Sequence, residues 1–167
     1  MNLYLLRHGI AVDSAELDFA GDAARPLTPK GRRQLRNVAA AVRAMKVTFD
    51  AMLASPLVRT QQTAEVMAKA LKFKSKPGFA DELRPGGKAE QVIRKINALK
   101  PAPESLLIVG HEPDLSELVS LLVSGDTGGG FSFKKAGLAK LEVEKLSAGK
   151  CATLAWLLTP AQMKLME

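Results

Sequence analysis

Histidine occurs only twice in the 167 residues, as His8 and His111. Each closes an apolar run. Asn2-Leu3-Tyr4-Leu5-Leu6 leads into Arg7-His8-Gly9, and Ser105-Leu106-Leu107-Ile108-Val109 leads into Gly110-His111. Short apolar runs of this kind read as buried strands. In open α/β sheets, ligands bind beyond the carboxyl ends of the strands, and both imidazoles fall there. Gly9 can take backbone angles closed to other residues and lets a ligand approach the main chain. Three arginines take comparable places. Arg7 precedes His8, Arg25 stands just before a helix start, and Arg59 lies near the start of a second helix. There, free N–H groups and the helix dipole also favour an anion. Guanidiniums clamp tetrahedral oxyanions through paired hydrogen bonds. A neutral imidazole nitrogen is a competent nucleophile toward phosphorus, and neighbouring cations disfavour the imidazolium. The set Arg7, His8, Arg25, Arg59 and His111 therefore points to phosphoryl transfer through a phosphohistidine. A zinc or iron site would need carboxylates to complete its ligands, and arginines do not ligate metals. Neither histidine has H-x-x-x-H spacing, so no metal is expected.

The elements that must position these groups follow from periodicity and punctuation. Thr28 is a helix N-cap with Pro29 at the first helical position. Leu35, Val38, Ala39, Val42 and Met45 then recur at helical spacing to about residue 45. Phe49 to Ala54 reads as a second strand. Ser55-Pro56 forces a break, after which a helix runs to about Leu71. Phe79 to Gly87 is a short strand or loop ending in a turn, and Lys88 to Leu99 is helical. Pro101 to Pro103 is a spacer, and a helix opens at Pro113 and runs to about Val123. Gly125 to Gly130 stands after a helix and before a strand. That order is wrong for a phosphate-cradling loop, so it reads as a flexible connection. Phe131 to Phe133, Gly137 to Val143 and Ala152 to Leu158 read as closing strands, the last two as a hairpin. The tail from Pro160 is uninformative. Early strands alternate with helices and late strands are adjacent. The expected fold is a single domain over 1–167 of the α/β class: a three-layer α/β/α sandwich with a mostly parallel central sheet and an antiparallel edge.

Composition sets the bounds. Apolar residues make up 47% of the chain, enough for a packed core. A domain of this length buries about 70% of its unfolded surface. No basic stretch precedes a long apolar run at the start, so no secretory leader is expected. No apolar run approaches the ~20 residues of a membrane helix. Cys151 is the only cysteine, which excludes an internal disulfide and a cysteine-based zinc cluster. A cytoplasmic setting fits, without a membrane partner. The net charge of +7 is scattered through helices. Such a field can draw an anion into a pocket. Nucleic-acid binding would want aromatics interleaved with the basic residues. One Trp, one Tyr and six Phe do not supply them, so no nucleic-acid partner is expected.

Four motifs together resemble the histidine phosphatase superfamily, also called the phosphoglycerate mutase-like family. They are Leu6-Arg7-His8-Gly9, Arg25-Pro26-Leu27-Thr28 with Gly31, Ser55-Pro56-Leu57-Val58-Arg59-Thr60 continuing to Ala64, and Val109-Gly110-His111. The resemblance implies a phosphoglycerate mutase-like fold and a phosphorylated nucleophile at His8. Arg7, Arg59 and His111 would bind the phosphoryl oxygens, Arg25 would line the same pocket, and no cofactor or metal would be required. Glu82 lies where relatives carry a carboxylate. It would protonate the leaving group and then activate water, with Asp18 and Asp22 in the first loop as rivals. Two departures narrow the likeness. Mutases follow Arg-His-Gly with a polar, usually acidic continuation, and here it is Ile10-Ala11. Larger members insert a cap, whereas only about twenty residues separate Glu82 from Ser105. The chain thus looks most like the compact phosphohistidine phosphatase SixA branch, acting on a phosphorylated protein such as a histidine phosphotransfer domain, as a monomer or weak dimer. A small-molecule phosphate monoester phosphatase and a non-catalytic phosphate-binding module remain as alternatives.

Overall fold

The computed structural model describes residues 1–13, 15 and 21–166. Asp18, one of the carboxylates considered above, lies outside them. Among the described residues, six strands form one sheet: β1 (Asn2–Arg7), β2 (Ala51–Ala54), β3 (Gly78–Phe79), β4 (Ser105–Gly110), β5 (Leu138–Val143) and β6 (Ala152–Leu158). Their spatial order is β3-β2-β4-β1-β5-β6. The first four are mutually parallel, and β5 and β6 add an antiparallel edge. The helices are α1 (Pro29–Ala44), α2 (Val58–Ala70), α3 (Ala89–Asn97), α4 (Asp114–Ser124) and α5 (Pro160–Lys164).

Strand alternation separates two cores. Leu3, Leu5, Leu106 and Ile108 point to one face, where α3 and α4 cover them with Ile93, Ile96, Leu115 and Val119. Tyr4, Leu6, Leu107 and Val109 point to the other, against Leu35 and Val38 of α1, Met67 of α2 and Met163 of α5. The three layers follow directly: neither face of a central parallel strand can be left to water. Fully burying one of these leucines contributes about 1.5–3 kcal/mol.

Two local devices matter for the site. The Thr28 hydroxyl accepts the Gly31 N–H at 3.0 Å, capping α1, and Pro29 takes the first helical position. The Thr28 N–H donates to the Ile10 carbonyl at 2.9 Å. A Cβ on Gly31 would lie 2.2 Å from that same oxygen. Glycine alone lets the first turn of α1 rest on the chain just past His8. At the other edge, β5 runs antiparallel to β1 with Leu138 opposite Leu6. The start of β5 therefore lies at the end of β1, and the turn before it wraps that end of the sheet. There the Ala136 N–H donates to the carbonyls of Arg7 and His8.

Two expectations are corrected. Phe131 to Phe133 is not a strand, because the Phe133 N–H and carbonyl pair with side chains instead of with a neighbouring strand. The tail is not featureless. Thr159 and Gln162 form a capping box that starts α5, and α5 seats the fully buried Met163 on the α1 face of the sheet.

Candidate active site

β1 and β4 are adjacent, with Arg7 opposite Gly110. His8 and His111 leave these strand ends side by side, ring centroids 5.3 Å apart. Both are buried, 7% and 3% exposed. With Arg7, Arg25, Arg59, Asp22, Glu112, Pro85 and Lys135 they line a cavity of about 330 Å³. Six of the residues singled out from sequence thus meet in one place: Arg7, His8, Asp22, Arg25, Arg59 and His111.

The two imidazoles are held differently. His8 Nδ1 lies 2.8 Å from the Gly9 carbonyl oxygen. A carbonyl only accepts, so Nδ1 carries the proton and Nε2 keeps its lone pair. His111 instead uses Nε2, 2.9 Å from the Ser55 hydroxyl, and its buried Nδ1 has no partner. Burial chiefly, with Arg59, Arg7 and Lys135 nearby, pushes the His8 imidazole down to about 4, against the Gly9 hydrogen bond. Burial, Arg59 and His8 push His111 down to about 3. Both rings are neutral at pH 7.

The guanidiniums are fixed at one end and open at the other. Arg7 Nη1 donates to the Phe133 carbonyl at 2.7 Å. Arg59 sits at the second position of α2, beyond Ser55-Pro56, and is 4% exposed. Its Nη1 donates to the Asp22 carbonyl and its Nη2 to the Asp22 carboxylate. Arg25 donates from Nε to the Val12 carbonyl and from Nη1 to the other Asp22 oxygen. Among the described residues, four buried side-chain polar atoms lack a hydrogen-bond partner. Three of them are Arg7 Nε, Arg59 Nε and His111 Nδ1. Buried polar atoms are normally paired, so this concentration leaves three unpartnered groups on residues that line one cavity.

The carboxylates are divided between this cavity and its neighbour. Glu82 stands on the short 3-10 turn Asp81–Leu83. It lines a cleft with Gly110 and Asp114 that shares His111 with the cavity of His8. Asp22 does line that cavity, but hydrogen bonds from Arg25 and Arg59 hold its carboxyl below the usual range. Glu112 lines it too and was not anticipated. Its two oxygens accept from the Ser116 hydroxyl and from the Phe133 N–H. Its position directly after His111 was the available signal. Lys135 carried none, since only the β5 register brings it to the cavity.

A family model described as histidine phosphatase superfamily (branch 1) matches residues 3–85. The phosphohistidine phosphatase SixA of Escherichia coli (strain K12) is 30% identical over 168 residues, spanning all of this chain and 99% of that one. An uncharacterized protein of Picosynechococcus sp. is 39% identical over 142 residues, 84% of each chain. A solved structure of the protein histidine phosphatase SixA complexed with tungstate superposes with a TM-score of 0.83 at 30% identity, covering 96% of this chain and 98% of that one.

Proposed function

The chain belongs to the histidine phosphatase superfamily, and on that footing we propose that it removes phosphate from a phosphorylated histidine of a protein, such as a histidine phosphotransfer domain. His8 Nε2 attacks phosphorus in line, and the P–N bond to the substrate imidazole breaks with its electron pair returning to that ring. The phosphoryl group now rests on His8. Water then attacks phosphorus, orthophosphate leaves, and His8 Nε2 regains its lone pair. Arg7, Arg59 and His111 hold the phosphoryl oxygens, with Arg25 at the rim. Phosphoryl transfer is catalysed almost entirely by positioning and by electrostatic stabilisation of this kind. The scheme uses no metal and no cofactor, and a cytoplasmic setting goes with it.

The observation that carries this reading is the state of the cavity's carboxylates. Asp22 is held ionised by two arginines, and both Glu112 oxygens accept hydrogen bonds from within the protein. Asp22 so held offers no proton to a departing alkoxide, and the Glu112 carboxylate is engaged by Ser116 and Phe133. A departing imidazole can take its proton at the ring nitrogen remote from phosphorus, from solvent. A phosphoramidate substrate therefore asks least of this site. Glu82, the acid implied by family likeness, becomes dispensable in this scheme. Glu82→Gln is expected to keep turnover within about threefold, whereas a loss of roughly 10²-fold would restore it as the acid.

The decisive experiment sets a phosphohistidine protein against sugar phosphates and nucleotides, with wild type and His8→Ala in one panel. Preference for the phosphoprotein, lost in His8→Ala, is the expected result. Preference for a monoester would assign the small-molecule reading. Label that accumulates on His8 without release would assign a non-catalytic phosphate-binding module.

A further inference from the structure

A second cavity with mixed apolar and cationic walls lies at the opposite end of the sheet from the imidazoles. It occupies about 630 Å³ where α1 and α2 end and β2 begins. That volume lies within the range of small-molecule sites, roughly 300–1,000 Å³. Its apolar walls are Val47, Phe49, Met52, Leu71 and Phe73. Phe49 is fixed edge-on against Tyr4, ring centroids 5.0 Å apart. Four cations line it as well: Arg43, Lys46, Lys72 and Lys74. Its one carboxylate, Asp50, accepts the backbone N–H groups of Glu104 and Ser105 through a single oxygen.

Two of the cations occupy unusual backbone positions. α1 ends in a Schellman motif, with the Lys46 N–H on the Arg43 carbonyl and the Val47 N–H on the Val42 carbonyl. α2 ends the same way, with Lys72 on Lys69 and Phe73 on Ala68. The residue after the C-cap in this motif is left-handed and is usually glycine. Here it is lysine both times, at φ 56 and φ 54. Non-glycine residues are uncommon in this region, and it disfavours them. Two helices thus terminate identically, and each places a lysine followed by a hydrophobe at one cavity. Glycine would carry less backbone cost at both positions, and the lysines instead bring two cations to the cavity.

We propose that this cavity binds a small amphipathic anion, with an aryl or short acyl body against Phe49, Leu71 and Phe73 and a carboxylate, sulfonate or phosphate against Lys46 and Lys72. The concave apolar walls select the body, and the cationic rim selects the charge. The site is distinct from the catalytic cavity and does not depend on the reaction carried out there.

The test uses the full chain and 1-anilinonaphthalene-8-sulfonate, an aryl anion, followed by fluorescence and by amide ¹H–¹⁵N shifts. Saturable binding is expected, weakened by added salt, with shifts at residues 46–49 and 71–74. The double variant Lys46→Gly/Lys72→Gly is expected to weaken binding by about tenfold or more. Its melting temperature should hold or rise, because glycine suits positive φ. Lys46→Arg/Lys72→Arg should keep the binding. Binding that survives the glycine variant unchanged would overturn the proposal. So would shifts confined to residues 7–9 and 111, or fluorescence that rises without saturating.

Discussion

His8 and His111 follow neighbouring parallel strands and face one cavity, yet their nitrogens are committed in opposite senses. His8 spends Nδ1 on the next residue's carbonyl and presents an unprotonated Nε2. His111 spends Nε2 on Ser55, which comes from the end of β2, and leaves Nδ1 open. The first arrangement is local and requires nothing beyond Gly9. The second requires β2 and β4 to be paired in register. A nucleophile needs one bare lone pair in a fixed direction, and a local bond supplies it. An oxyanion-binding group needs to be placed relative to the rest of the pocket, and a long-range bond does that. On the proposed scheme, similar strand ends take different chemical duties because their tethers differ in reach.

That contrast can be broken at several points. The largest effect is expected for His8→Ala, a loss of roughly 10⁴-fold or more in hydrolysis with no labelled enzyme trapped on acid quench. His111→Ala should cost about 10²–10³-fold, the scale of one oxyanion-binding group, while label on His8 still forms slowly. Equal and total loss of label in both variants would erase the division of labour. Ser55→Ala frees His111 Nε2 and should cost roughly tenfold by misplacing the ring, with His8 labelling kinetics showing the same lag. A null effect there would mean that the serine tether orients nothing.

The pH dependence sharpens the comparison last. Both imidazoles stay neutral in the native state down to about 4 and about 3, against 6.5 when unfolded. Between those values the unfolded chain binds protons that the native chain does not. Stability therefore falls as pH drops below 6.5, by at most roughly 1.4 kcal/mol per pH unit for each imidazole. The acid limb of kcat/KM that belongs to His8 should lie near 4. A limb centred near 6.5 would mean that the nucleophile is not shielded as its burial implies. Denaturant titrations at pH 5 and 7 and a pH–rate profile measure the two effects separately.

Much of this architecture was legible from local signals. Thr28-Pro29 announced α1, Ser55-Pro56 announced the break before α2, and the two apolar runs announced β1 and β4. Each of those elements lies within two residues of its expected bounds. What local signals could not carry was register. Lys135 joins the cavity because β5 folds back antiparallel beside β1. Pairings more than twenty residues apart leave no periodic trace. Phe131 to Phe133 misread as a strand for the same reason: apolar alternation signals an extended chain, not what its backbone will pair with. Glu82 was placed by likeness alone, and the turn that carries it faces a cleft that shares His111 with the cavity. The Thr159–Gln162 capping box is different. Its spacing was visible in the sequence, and it shows that a short tail can still be an anchored element.

The Ile10 carbonyl receives the Thr28 N–H and stands where a Gly31 side chain would have to go. The loop after His8 and the first turn of α1 are therefore one mechanical piece, although they are far apart in the chain. Tolerance to substitution will not decay smoothly with distance from phosphorus. It will follow this seam, so that an added methyl group on a helix outside the cavity acts as a lesion of the reaction centre, while larger changes on the exposed face of the same helix pass unnoticed.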